Sequence, residues 1–291
     1  ELKKLIGYLL NKYSGFNEVA IEKPAPLLKA GFCVFKNGKV VKLVGTWEQW
    51  LKEQNPDPKK DKVAVLIYES AAKEGILNIE NAVGRDLEKK GVQPVFVFGY
   101  PSSKAIKKTI LDTLQLKNKG IKAAISWFYK FPDNDADKVL PPLDVPLVNA
   151  IDIYGKGIKD WKSTKKGLSS TEVAWQIAIP EIAGMVQPTV VGGVELKDGV
   201  PYKTAIPSRI DRVTNRALRY VKLQNLKNSE KKVAFVYWNY PPGKDNIGAS
   251  YLNIFESYPM ILKEMQKQGY NTGNYSGSQD EEFKKLIKQR G

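Results

Sequence analysis

Histidine is absent from the 291 residues, and cysteine occurs once, as Cys33. Without imidazoles, zinc sites built from Cys and His and Ser-His-Asp triads are excluded within this chain. A metal ion could meet only carboxylates, carbonyls, hydroxyls or amides, and no metal-ligating residue is assigned. One thiol excludes an internal disulfide framework. In Phe32-Cys-Val-Phe35 it reads as a small buried apolar residue. Apolar runs are short, and none approaches the roughly 18 residues that a membrane span requires. No membrane span is expected, and a cytoplasmic location is. An initiator methionine is missing, and the opening ELKKLIGYLLNKY is too amphipathic for a signal peptide. The chain therefore reads as a piece of a longer protein. Neither a GxxxxGK[ST] loop nor a GxGxxG turn occurs, and Gly155-Lys-Gly157 lacks the third glycine, so no ATP site and no cofactor are expected in this chain.

What is present is ordinary in proportion: hydrophobic residues make up 42% and charged residues 26%. The length allows a sizeable core and up to two domains. The formal net charge of +15 attracts anions broadly. The lysines are scattered along helices, as in Lys104, Lys107, Lys108, Lys117, Lys119 and Lys122. No zinc finger, RNA-binding aromatic motif or compact basic tail accompanies them. They read as a solvated surface, and no nucleic-acid partner is expected.

The pattern predicts an α/β fold: a Rossmann-like parallel sheet with flanking helices, a small α+β segment before it and the start of a second α/β module after it. The predicted divisions are 1–60, 61–230 and 231–291. In the first, a helix over 2–13 carries Leu2, Leu5, Ile6, Leu9 and Leu10 on one face. Phe32–Lys36 and Lys39–Leu43 flank Asn37-Gly38, a hairpin signal. Thr46 and Gln49 form a capping box before Trp47, Trp50 and Leu51. In the second, strands are predicted at Lys62–Tyr68, Val95–Phe98, Ile121–Ser126 and Val145–Asn149, with helices at Ile79–Lys90 and Pro101–Leu116. Strands alternating with helices of this length imply a parallel, doubly wound sheet. Glu69–Asn78 reads as a polar loop and Gly155–Gly167 as a basic one. Ser169 and Glu172 cap a helix expected to stop at Pro180. Glu181 should then project from an irregular turn. The glycines of Val190-Val-Gly-Gly193 permit another segment to come close. Ser208 and Asp211 are expected to cap a helix to about Leu226, with Arg209, Arg212, Arg216 and Arg219 along one stripe.

The third division opens with Val233–Tyr237, read as a buried strand. Asn239-Tyr-Pro-Pro-Gly243 turns the chain, and a helix follows with Ile261, Leu262 and Met265 on its inner face. Strand, polar Gly/Pro loop and helix place ligands at the carboxyl edge of a parallel sheet. Gly243 and Gly248 would let the backbone approach a flat or anionic ligand.

Asn239-Tyr-Pro-Pro-Gly-Lys-Asp-Asn-Ile-Gly-Ala-Ser-Tyr-Leu-Asn253 resembles the signature of the large subunits of tetrapyrrole metal chelatases, of the cobaltochelatase CobN and magnesium chelatase H types. The similarity runs from Gly31 to about Gly273. It implies a subunit that holds a tetrapyrrole, porphyrin or corrin, while metal is inserted, with ATP hydrolysed on separate ATPase subunits. Ser70 in Glu69-Ser-Ala71 falls where the family commonly carries Arg-Ser-His; the flanking residues differ. Ala174–Gly184 resembles the family's AxQVALPELDG segment, so Glu181 takes the place of its glutamate and Ala183 replaces its acid. Metal insertion removes two pyrrole protons, and a carboxylate is a suitable acceptor. The implied catalytic residue is Glu181. The implied substrate-binding residues are Ser70, Trp238, Tyr240, Gly243, Asn246 and Gly248. Trp127, Phe128, Tyr129 and Phe131 are further aromatic candidates for stacking. A diverged member that removes metal from haem, or a non-catalytic tetrapyrrole-binding scaffold, are the alternatives.

Overall fold

The computed structural model describes residues 2–15, 27–99, 119–127, 144–236, 238–239, 247–248 and 252–273. The chain divides into two units, Glu1–Leu218 and Arg219–Gly291.

The first unit is built on an eight-stranded sheet of order β2-β1-β4-β3-β5-β6-β7-β8. The strands are β1 Gly31–Lys36, β2 Lys39–Val44, β3 Lys62–Tyr68, β4 Gln93–Gly99, β5 Ile121–Ser126, β6 Leu147–Ile153, β7 Val186–Lys197 and β8 Val200–Ala205. From β4 to β7 all neighbours run parallel. At the edges, β1 and β2 on one side and β8 on the other are antiparallel, so the sheet is mixed rather than wholly parallel. The central strands are buried along nearly their whole length, as expected where helices cover both faces.

The hairpin of residues 1–60 joins the edge of the same sheet. The hairpin turns at Asn37-Gly38, both at positive φ. It then pairs β1 with β4, which buries Phe32, Cys33, Val34 and Phe35. Helix α2, Trp47–Gln54, begins with the predicted capping box. It is tied to β1 by Trp50 Nε1 donating to Cys33 O at 3.1 Å and by Gln54, which brackets both backbone groups of Phe35. Helix α1, Leu2–Ser14, has no buried residue.

The loop expected after β3 is in part a short helix, α3 Glu69–Glu74. Helix α4, Asn78–Lys89, buries Ile79, Glu80, Val83, Gly84 and Leu87 at helical spacing. Helix α5, Ile158–Ser163, occupies the basic stretch read as loop. The crossover from β6 to β7 is a helical run over 170–182, here α6. It consists of Ser170–Val173, a wider π turn Ala174–Ala178 and a last turn Ile179–Ile182. The capping box of Ser169 and Glu172 is present. The expected stop at Pro180 is not: the helix passes through it. Helix α7, Pro207–Asn225, starts one residue before Ser208, because proline at the first helical position already lacks the N–H that would need a cap. Asp211 pairs with Lys90 instead. The predicted helix Pro101–Leu116 lies outside the described residues.

In the second unit the expected strand at Val233–Tyr237 does not form over its described part. Among the described residues, 233–236 have no ladder partner, and Val233 and Val236 are exposed. An apolar run becomes a strand only beside another strand that satisfies its backbone groups. Helix α8, Ile254–Lys267, is capped by Asn253 and carries Pro259 inside it, beyond its first turn. It buries Ile254 and Leu262, with Met265 partly covered; Ile261, expected inside, is exposed.

Candidate functional site

The carboxyl ends of the parallel strands share one edge. β3 ends there at Tyr68, β5 at Ser126 and β6 at Ile153, and α4 starts there. The longer β7 continues past Gly192-Gly193, which pair with Asp152-Ile153, then returns as β8. This hairpin reaches α4, where Asn78 Nδ2 donates to Lys203 O at 3.1 Å.

Lys203 sits between two buried acids. Its Nζ lies 3.6 Å from Glu80 Oε1 and 3.5 Å from Asp152 Oδ2. Both carboxylates are only 3% exposed. Trp127 Nε1 donates to Asp152 Oδ1 at 3.0 Å. Among the described residues, Glu80 Oε2 has no hydrogen-bond partner. Burial pushes the Glu80 carboxyl up to about 7; Lys203 opposes the shift and the Asp152 charge adds to it. Burial works against the Lys203 ammonium, but the two acids outweigh it and hold its pKa above the ordinary value. The Tyr154 phenol, half open just beyond β6, is raised by burial and then by Asp152. Two acids and one lysine leave the cluster one negative charge in excess unless a proton or a cation joins it.

A neutral network supports this edge. Gln176 Nε2 donates to Asp152 O at 2.9 Å, and Asn149 Nδ2 donates to Gln176 O at 2.7 Å. The Gln176 carbonyl is available because residue 180, which would bond to it in an α-helix, is proline and has no N–H. The π turn absorbs the mismatch, with Ile179 N–H donating to Ala174 O. Single π turns of this kind recur at functional sites. Glu172 fixes the loop above. Burial works to raise its pKa, but hydrogen bonds from Ser169, Tyr154 and Gly155 hold it below the usual carboxylate range.

Ser70 is exposed on α3, at the carboxyl edge. Glu181 is elsewhere. It is exposed on the last turn of α6, next to Met185, which leads into the start of β7 at the amino edge. It stands on a helical turn and not on the irregular one expected, because the π turn carries the helix past Pro180. Trp238 and Gly248 face each other in a short antiparallel pair. Tyr240, Gly243 and Asn246 lie outside the described residues, as do Phe128, Tyr129 and Phe131. The arginine stripe is partly engaged: Arg209 lies over the Trp161 ring at 5.4 Å, and Arg216 donates to Gln187 O at 2.8 Å.

Sequence reasoning missed Glu80, Asp152, Tyr154 and Lys203. Only Asp152 left a mark, as an acid inside the apolar run Leu147–Ile153. Among the described residues, no three His, Cys, Asp or Glu side chains are grouped to hold a metal ion, and no helix is long and apolar enough to cross a membrane.

The family model described as CobN/Magnesium Chelatase matches residues 1–291. An uncharacterised protein of Methanocaldococcus jannaschii is 29% identical over 314 residues, covering 98% of this chain and 24% of its own length. The chloroplastic magnesium-chelatase subunit ChlH of Oryza sativa subsp. japonica is 29% identical over 225 residues, covering 74% of this chain and 16% of its own. Among solved structures, the catalytic subunit of cobaltochelatase from Mycobacterium tuberculosis superposes with a TM-score of 0.66 at 22% identity, over 94% of this chain and 22% of that one. The chain thus spans a quarter or less of the length of these relatives, and the solved structure supports the fold alone. With the whole chain matched by one family model and the sheet shared with a chelatase subunit, this protein belongs to the CobN/magnesium chelatase family.

Proposed function

We propose that the full protein holds a tetrapyrrole while a divalent metal ion is inserted, and that this chain supplies part of the surface that holds it. The observation that carries this reading is the family match along the entire chain. The net charge of +15 suits a macrocycle with acidic side arms. The carboxyl edge of the sheet, with Ser70 and the Lys203 cluster, is where an open α/β sheet receives a ligand. Trp238, Tyr240, Gly243, Asn246 and Gly248 provide an aromatic and glycine-rich segment for the ring in this reading. Glu181, exposed at the opposite amino edge, exchanges protons with pyrrole nitrogens in this reading only where the ring contacts that edge. ATP is hydrolysed on separate subunits.

The test is optical titration of the full protein with a free-base porphyrin and, separately, with haem. Saturable perturbation of the free-base spectrum, stronger than that of haem, is expected. No saturable change with either would overturn the reading.

A further inference from the structure

We infer that Lys203 and Glu80 form a proton-handling pair at the carboxyl edge, with Lys203 as the outward contact and Glu80 as the proton store. The inference rests on the tetrapyrrole reading above and adds a second proton site to it.

The contrast between the two ends of α4 carries the argument. At the C-terminal end, Lys90 is satisfied at short range: its Nζ lies 2.6 Å from Asp86 Oδ2, 2.9 Å from Asp211 Oδ1 and 2.6 Å from Thr214 Oγ1. That is how this fold builds a structural ion pair. At the N-terminal end, Lys203 is held at 3.5 and 3.6 Å from its acids. One oxygen of Glu80 is buried and unpartnered among the described residues. Catalytic acid–base contacts are often long before substrate binds, so this spacing is compatible with a working pair, whereas the short Lys90 contacts are those of a structural one. The charged or titratable groups facing Glu80 are Lys203 from β8, Asp152 from β6 and Tyr154 just beyond β6. Only Lys203 and Tyr154 reach toward solvent, since the Lys203 side chain is 23% exposed and Asp152 and Glu80 are closed off.

The step conserves charge at Lys203. A pyrrole N–H bond breaks, and its electron pair stays on nitrogen for the entering metal ion. That proton joins Lys203 Nζ as another leaves Nζ for Glu80 Oε1. The carboxylate becomes a carboxylic acid, and the lysine remains an ammonium. Glu80 afterwards returns its proton to Lys203 Nζ as Nζ gives one to solvent, and is ready for the second N–H. Asp152, held by Trp127, positions Lys203.

The experiment uses the full protein with a free-base porphyrin and cobalt(II). Infrared difference spectra between about pH 6 and about pH 8 should show the carbonyl band of a protonated acid at the lower pH. E80Q should remove that band. E80Q should also keep porphyrin affinity within about twofold while single-turnover metallation falls about a hundredfold, the lower range for loss of one proton-transfer group. Asp152→Asn should move the infrared midpoint and the rate inflection down together. Lys203→Met should move the infrared midpoint up. A purely structural pair would change stability and leave the inflection in place. Wild-type protein without porphyrin affinity overturns the function reading and this one with it. Intact affinity with an unchanged rate profile in E80Q overturns only the role of Glu80.

Discussion

Gly192→Ala tests the geometry that brings β8 over α4. A Cβ at Gly192 would lie 2.5 Å from Thr204 O and 2.6 Å from Ile79 Cδ1. The carbonyl belongs to the β7–β8 ladder, where Gly192 pairs with Ala205 and Gly193 with Thr204. It cannot rotate away. Ile79 is fully buried and has nowhere to retreat. Relief therefore requires the hairpin to lift. Overpacking of this kind costs about 1–3 kcal/mol, and a contact with fixed backbone belongs at the upper end. Against that stands a gain of roughly 0.5–1 kcal/mol from replacing glycine in a strand. The expected net loss is about 2 kcal/mol, read in urea as a lower midpoint with unchanged slope. Gly99→Ala is the control, since among the described residues its Cβ would meet only Ala30 Cβ at an ordinary 3.4 Å. It keeps the glycine-replacement gain without the clash and should stabilise by roughly 0.5–1 kcal/mol. Adding Ile79→Val to Gly192→Ala should recover part of the loss, because it removes the Cδ1 clash and leaves those with Thr204 O and Ile79 Cγ1. If Gly192→Ala is no worse than Gly99→Ala, the close approach of the hairpin is refuted.

Three further outcomes are expected. Glu80 has a folded pKa raised to about 7, so its contribution is fully present below the unfolded value of about 4.3 and is lost as pH rises through 7. Stability should fall over that window by about 3 kcal/mol, and Glu80→Gln should flatten the fall in a series of urea titrations. Glu172 shifts the other way: its contribution is present at neutral pH and lost as pH falls through its lowered pKa, so Glu172→Gln should destabilise by about 1 kcal/mol at pH 7 and less in acid, by the same assay. Glu181 is exposed, so Glu181→Gln should change stability by less than about 0.5 kcal/mol. Metallation by the full protein then reads its proposed proton transfer separately from folding, with at least a tenfold loss expected.

Local signals in the sequence proved dependable where the physics is local. β3 and β5 follow their apolar runs to the residue, Asn37-Gly38 makes the hairpin turn, and both Thr46–Gln49 and Ser169–Glu172 form capping boxes. The antiparallel joins of β1 to β4 and of β8 to β7 were not legible, because nothing in β1 or β8 states which strand of the sheet it will meet. Lys203 illustrates the limit. It lies in a short edge strand with no periodicity of note, and it acquires a role only when the hairpin folds back on α4. Glu80 looks like any acid in a first helical turn until β8 covers it. Their separation of more than a hundred residues leaves no spacing to read.

Pro180 shows how a correct local rule can mislead about a site. Proline removes a donor and is expected to end a helix. Here the missing donor is used: the Gln176 carbonyl it leaves free accepts from Asn149, while the Gln176 side chain turns to the backbone of Asp152. The π turn that allows this faces Gln176 inward, at 1% exposed. It also carries the helix one turn further, so that Glu181 points outward at the amino edge. One substitution pattern thus links the two candidate proton sites. The defect at Pro180 seats Asp152 beneath Lys203 at one edge and presents Glu181 to solvent at the other. Both outcomes depend on a helix continuing where composition says it should stop. That continuation is possible because a buried amide on β6 satisfies the one carbonyl the proline abandons.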